Sequence, residues 1–235
     1  MTAPIVFVTS SGTEIGKTYV TVGLIQALRA QGRPVTALKP LITDYTAATA
    51  AASDTALILE ALGRPLTEDN VAEISPWRYR AALAPDMAAA REGARVPYGD
   101  VVAFCRAQQR AAPADGVVIV EGAGGVLVPI DATHTMRDLM RDLAATPILV
   151  VGSYLGTISH TLTAAEALSS AGLPPAAVVV SESADVPIPL AETCAVIERF
   201  LGAPPWGALP LVALPRGSRA AFTDLATRLM RPRGA

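Results

Sequence analysis

The strongest constraint in this chain is a set of short apolar runs that do not alternate with polar residues. They are 5–8 (Ile-Val-Phe-Val), 35–38 (Val-Thr-Ala-Leu), 117–120 (Val-Val-Ile-Val), 148–151 (Ile-Leu-Val-Val) and 176–180 (Ala-Ala-Val-Val-Val). Strands buried on both faces read this way, which means a parallel sheet covered by helices. Helix-period segments lie between the runs. Val20, Leu24, Ile25 and Leu28 share one face of a segment that stops near Gly32. Val101, Phe104 and Cys105 suggest a second, and Leu162, Ala165, Ala167 and Leu168, stopped by Gly172, a third. Alternation of strand and helix predicts a doubly wound, mainly parallel α/β sheet with helices on both faces. With no internal repeat and no linker, the expectation is a single domain over residues 1–235. The tail, about 228–235 with three arginines, is expected to fray.

Composition narrows the function classes. Apolar residues make up 51% and charged residues 17%, the reverse of a disordered chain. The net charge of −2 and the lack of a basic block argue against nucleic acid as a partner. No apolar stretch approaches the roughly 20 residues of a membrane span, and the N-terminus lacks the pattern of a signal peptide. Two isolated cysteines, Cys105 and Cys194, make neither a disulfide framework nor a Cys-based metal site. The reading is a cytoplasmic, bacterial-style enzyme.

In open α/β sheets, ligands bind at the carboxyl ends of the strands. Each run ends in a small or polar cluster: Thr9-Ser10-Ser11-Gly12, Lys39-Pro40, Glu121-Gly122, Gly152 and Ser181. The sharpest is residues 9–18, Thr-Ser-Ser-Gly-Thr-Glu-Ile-Gly-Lys-Thr, an incomplete match to G-x-x-x-x-G-K-[ST] because Ser11 stands first. Gly16 lets the backbone approach phosphate oxygens, Lys17 can reach the β- and γ-phosphates, and the Thr18 hydroxyl can ligate Mg²⁺. A plain strand-turn-helix does not explain a lysine opening the helix, where it opposes the dipole. A bound anion does.

Pro40 keeps Lys39 extended. The lysine is either a second charge beside a triphosphate or an ordinary solvated strand-end residue. Glu121 follows four apolar residues, the place of a Walker B carboxylate, and Gly122-Ala123-Gly124-Gly125 would let backbone lie close to a ligand. Asp54, in Ser53-Asp54-Thr55, reads as part of an N-cap for a helix over 56–62, with a metal ligand as the alternative.

Together these residues resemble the dethiobiotin synthetase family. The family's Gly-Thr-x-Thr-x-Val-Gly-Lys-Thr loop falls on 10–18. Its Lys-Pro-Val falls on 39–41, its Ser-Asp on 53–54, its Val-Glu-Gly-Ala-Gly-Gly on 120–125, and its Leu-Gly-x-Ile-Asn-His is similar to the segment from Leu155 to His160. The resemblance implies a homodimeric cyclo-ligase. It takes 7,8-diaminononanoate, CO₂ or bicarbonate, and ATP with Mg²⁺, and closes a ureido ring through a carbamic-phosphoric anhydride. It implies Lys39 and Lys17 as catalytic. Nucleotide contacts fall at Glu14, Ile15, Gly16, Lys17, Thr18, Tyr19, Asp54, Glu121, Gly122, Ala123, Gly124, Ser181 and Pro210. The substrate falls at Thr13, Lys39, Thr43, Gly124 and Gly156, with the helix start near Gly156 supplied to a partner subunit. The metal falls at Thr18, Asp54 and Glu121.

Departures from the family pattern matter. Ser10 replaces a loop glycine, at about 1–2 kcal/mol if that position needs φ > 0. Thr43-Asp44 replaces Ser-Gly. Ser181 replaces an adenine-reading asparagine, which leaves nucleotide preference open, and Ser159 replaces another asparagine. Asp86 stands where a histidine is common. Three other readings are a ParA/MinD-type switch ATPase, a glutaminase-linked amidoligase and a degenerate, non-turning-over paralogue. The first carries an extra loop lysine where this chain has Gly12, and the second needs a nucleophilic cysteine.

Overall fold

The structure is a computed structural model that describes residues 2–183, 188–202, 211–215, 217 and 219–230. Its elements in chain order are β1 (Ile5–Ser10), α1 (Lys17–Ala30), β2 (Val35–Leu38), β3 (Leu41–Ile42), a 3₁₀ turn (Ala50–Ala52), α2 (Asp54–Ala61), α3 (Glu68–Ile74), β4 (Trp77–Arg78), α4 (Pro85–Arg91), α5 (Tyr98–Ala111), β5 (Val117–Glu121), α6 (Met136–Asp142), β6 (Thr146–Val151), α7 (Thr157–Ser169), β7 (Ala177–Ser181), α8 (Leu190–Leu201), β8 (Leu211–Leu214) and α9 (Arg219–Leu229).

Six strands form one parallel sheet in the order β2-β5-β1-β6-β7-β8. Every residue of β1, β5 and β7 is buried, which is why these runs carry no polar alternation. The chain moves one way along the sheet from β1 to β2, and the other way from β5 through β8. Right-handed crossovers therefore put α1 on one face, and α6, α7 and α8 on the other. The reversal falls at β1, so the loop after β1 opens onto the crevice where ligands of such folds bind.

Helix boundaries follow local chemistry. Ser53 caps α2 by accepting the Ala56 N–H through its hydroxyl. Thr135 and Asp138 form a capping box on α6. The chain leaves α1 through Gly32 at φ 75°. Helix α9 packs on α1, with the Phe222 ring lying where a Cβ on Gly23 would be, 2.4 Å away.

Several features go beyond the sequence pattern. β3 and β4 pair as a small parallel ribbon beyond the end of β2, tied on by the Lys39 N–H to the Ile74 carbonyl. Of the tail expected to fray, about 228–235, Arg228 and Leu229 lie in α9, which buries Phe222, Leu225 and Ala226, and residues 231–235 lie outside the described residues. Of the last apolar run, 209–214, only residues 211–214 are described, and they form the edge strand β8. Among the described residues, no helix is long and apolar enough to cross a membrane.

Candidate active site

The carboxyl ends of β1, β2 and β5 converge beneath a cleft of about 890 Å³. The loop 11–16 enters it from β1, and α1 begins there at Gly16, whose φ of 100° is left-handed. No side chain caps α1, so its first N–H groups face the cleft. Glycine is needed at 16 for a second reason: a Cβ there would lie 2.8 Å from the Ser181 hydroxyl oxygen. Ser181 thus packs on the phosphate loop from β7 and does not line the cleft.

Lys17 is buried, its Nζ 3.2 Å from Ser10 Oγ and 3.3 Å from the Gly12 carbonyl. Burial, and then the Lys39 ammonium, push its pKa down to about 8, against the partial support of Glu121 and Asp54. Lys39 is also buried, which excludes the solvated reading. Its Nζ lies 2.7 Å from Glu121 Oε1, 2.8 Å from Asp54 Oδ2 and 3.0 Å from the Gly122 carbonyl. Burial works against its charge, but the two carboxylates outweigh that and hold Lys39 above the usual lysine range. Burial works against the Asp54 carboxylate in the same way, and Lys39 and Thr18 still hold it below the usual carboxylate range.

Asp54 is the first residue of α2, and Ser53 does the capping. Its side chain is therefore free to turn into the site, where it takes the Thr18 hydroxyl at 2.7 Å. Glu121 Oε1 lies 3.0 Å from the same hydroxyl. One hydroxyl has one proton, so it cannot satisfy both carboxylates at once. Glu121 Oε2 is buried with no hydrogen-bond partner. Hard oxygen donors in this state suit a small divalent cation. Among the described residues, no group of three His, Cys, Asp or Glu side chains is placed to hold a metal, so the donor set is two carboxylates and a hydroxyl.

The chain matches the family described as an AAA domain (AAA_26) over residues 5–215. It is 48% identical to the ATP-dependent dethiobiotin synthetase BioD of Acidiphilium cryptum over 85% of this chain and 89% of that protein. It is 44% identical to the BioD of Caulobacter sp. strain K31 over 97% of this chain and 94% of the relative. The chain belongs to the dethiobiotin synthetase family. Among solved structures, the MinC:MinD cell division complex of Aquifex aeolicus matches with a TM-score of 0.56 at 14% identity, over 95% of this chain and 86% of that one. Chloroplast FtsY of Physcomitrella patens matches with a TM-score of 0.51 at 13% identity, over 95% of this chain and 65% of that longer one. Both show the doubly wound fold alone.

Most positions that resemble the dethiobiotin synthetase motifs meet at the cleft. Thr13, Glu14, Ile15, Gly16, Lys17, Thr18, Lys39, Thr43, Asp54, Ala123 and Gly124 all line it. Others lie elsewhere. The Tyr19 ring packs edge-on against Phe222 at 5.3 Å, and its hydroxyl accepts the Gly217 N–H, so its side chain fastens the C-terminal segment to α1. Gly122 sits under the cleft, where a Cβ would lie 2.8 Å from the Phe7 ring. Gly156 is the N-cap of α7 at φ 96° and does not reach the cleft within this chain. Pro210 lies outside the described residues.

Ser10 causes no backbone strain. It ends β1 and is absent from the positive-φ residues, which include Glu14 (57°) and Asp44 (57°). The cleft also has a wall that the motifs did not announce, made by Ile42, Leu83, Ala84, Pro85 and Val128. No residue type there signals a site, and the β3–β4 ribbon, the start of α4 and, for Val128, the loop after β5 bring these side chains together. Cys105 is fully buried, and burial pushes its thiol up to about 12, unlike the nucleophile of an amidoligase.

Proposed function

We propose that the chain works as an ATP-dependent dethiobiotin synthetase in the cytoplasm, with the cleft at β1, β2 and β5 as its reaction site. The observation that carries this reading is the convergence of two buried lysines and two carboxylates under the uncapped start of α1.

ATP phosphates lie on the loop 13–18 and the N-terminus of α1, where backbone N–H groups and the helix dipole favour anions. Thr18, Asp54 and Glu121 would hold Mg²⁺, a role that the unpartnered, buried Glu121 Oε2 fits. When bound, that ion screens phosphate charge and polarises the γ-phosphoryl group. Lys39 stands beside the same two carboxylates, so its ammonium lies at the edge of the reacting oxygens.

One amine of 7,8-diaminononanoate adds to CO₂ and loses a proton, giving a carbamate. Thr13 and Thr43 hold the diamine end and the carbamate. A carbamate oxygen attacks the γ-phosphorus, and the bond to ADP breaks. The second amine attacks the carbamic-phosphoric anhydride at its carbonyl carbon, phosphate leaves with the bonding pair, and a proton is released as the ring closes. Lys17 stabilises the charge on the transferring phosphoryl group, and Lys39 the charge on the carbamate. Holding carbamate and γ-phosphate in line makes the weak nucleophile effective.

The working unit is a homodimer. Leu155, exposed at 87%, and the α7 N-terminus at Gly156 are the surface offered to the partner, where the substrate's carboxylate tail binds. A turnover assay with diaminononanoate, bicarbonate, Mg²⁺ and each of ATP, GTP and CTP tests the reading. Phosphate release should require the diamine and yield a ureido product by mass. Diamine-independent hydrolysis without that product would identify a switch ATPase instead.

A further inference from the structure

Ser10 lies outside the residues assigned above, yet its side chain is the junction of the site. It is fully buried at the end of β1. Its Oγ accepts from the Lys17 ammonium at 3.2 Å, and the Gly12 and Gly124 carbonyls both lie within hydrogen-bond reach, the latter at 3.0 Å. A serine hydroxyl has one proton and two lone pairs. The proton goes to one of the two carbonyls, and a lone pair stays turned to Lys17.

The backbone repeats this link between the loops. The Val126 N–H donates to the Ser10 carbonyl at 3.0 Å. A Cβ on Gly125 would meet Ser10 O, Ser11 C and Gly12 N at 3.2–3.3 Å, so the two loops touch. The Lys17 ammonium has three donors, of which Ser10 and Gly12 take two. Lys39 is held from the other side by Glu121, Asp54 and the Gly122 carbonyl. Since β5 lies between β1 and β2, Ser10 keeps Lys17 on the β1 side of two mutually repelling ammonium groups.

We propose that Ser10 is a positioning residue for the reaction: its hydroxyl aims the Lys17 ammonium at the phosphoryl group, at the point where the phosphate loop meets the glycine-rich loop. This rests on the role given to Lys17 above. A chain with glycine at this position would need the loop backbone alone to do that work.

The test compares Ser10→Ala with Ser10→Thr, which keeps the hydroxyl. Phosphate release is measured with diaminononanoate, bicarbonate, Mg²⁺ and varied ATP, together with ATP affinity by calorimetry and melting temperature. A direct transition-state donor is worth about 10²–10³ in kcat, so an indirect aiming role predicts a loss of about ten-fold in Ser10→Ala. KM for ATP should stay within about two-fold, because the loop backbone still binds the phosphates. Ser10→Thr should retain most of the parent kcat. Ser10→Ala with an unchanged kcat overturns the proposal. Equal losses in both variants with equally lowered melting temperatures also overturn it, since that is a packing role.

Should Ser10→Ala fail to fold, Ser10→Cys keeps the shape with a poor acceptor, and a parent-like kcat there overturns the proposal equally. A parent protein that releases no phosphate sinks the reading of the site itself. A parent that turns over and variants equal to it sink only the role of Ser10.

Discussion

Lys17→Met should make the protein more stable while abolishing its activity. The lysine titrates at 10.5 in the unfolded chain and at about 8 when folded. Below pH 8 it is charged in both states, and the buried ammonium costs the native state roughly 3 kcal/mol, at 1.36 kcal/mol per pKa unit. Between pH 8 and 10.5 the unfolded chain binds more protons than the folded one, so parent stability rises with pH across that window. Methionine follows the lysine stem and carries no charge. It leaves no orphaned group, because Ser10 Oγ and the Gly12 carbonyl still face each other.

Allowing for relaxation, a gain of about 2 kcal/mol at pH 7 corresponds to roughly 4–8 °C in Tm for a chain of this size. Thermal unfolding of parent and variant at pH 7, 8, 9 and 10 tests this, since other titrations cancel in the difference. The gap should be widest at pH 7 and shrink toward pH 10. A variant that melts at or below the parent at pH 7, or a gap constant with pH, would refute the argument that the ammonium is a net burden until an anion arrives.

Lys39→Met should do the opposite. Removing one partner of a buried ion pair costs about 3–5 kcal/mol, here toward the low end because the Asp54 side chain is 39% exposed. Mg²⁺ should restore part of that loss by countering the charge of Asp54 and Glu121, so melting temperature against Mg²⁺ is the readout, and a flat titration would count against the metal set. Gly16→Ala should cost about 1–2 kcal/mol from its left-handed φ alone. The new Cβ would also meet the Ser181 hydroxyl at 2.8 Å, so adding Ser181→Ala should recover the contact part but not the backbone part in denaturant melts.

The unbroken apolar runs by themselves determined a parallel sheet, because a strand covered on both faces has no solvent side for polar residues. The Gly-Lys-Thr at 16–18, Lys39-Pro40 and Glu121 marked the candidate site, because strand ends and a helix start are local features. Asp54 marks the boundary of that reading. From the chain alone it was as good a cap as Ser53, and only the approach of α2 to α1 turned its carboxylate to Thr18 and Lys39. Lys39 was equally ambiguous until Glu121, 82 positions away, was brought to 2.7 Å.

The wall formed by Ile42, Leu83, Ala84, Pro85 and Val128 had no signature, since small and aliphatic residues are the commonest filling of any core. Ser10 looked like a strained substitution and is a strand residue with three polar atoms around its hydroxyl. Periodicity and turn chemistry are written in neighbours along the chain. Burial, pKa and the partner of each charged group depend on residues distant in sequence, and only tertiary packing sets them.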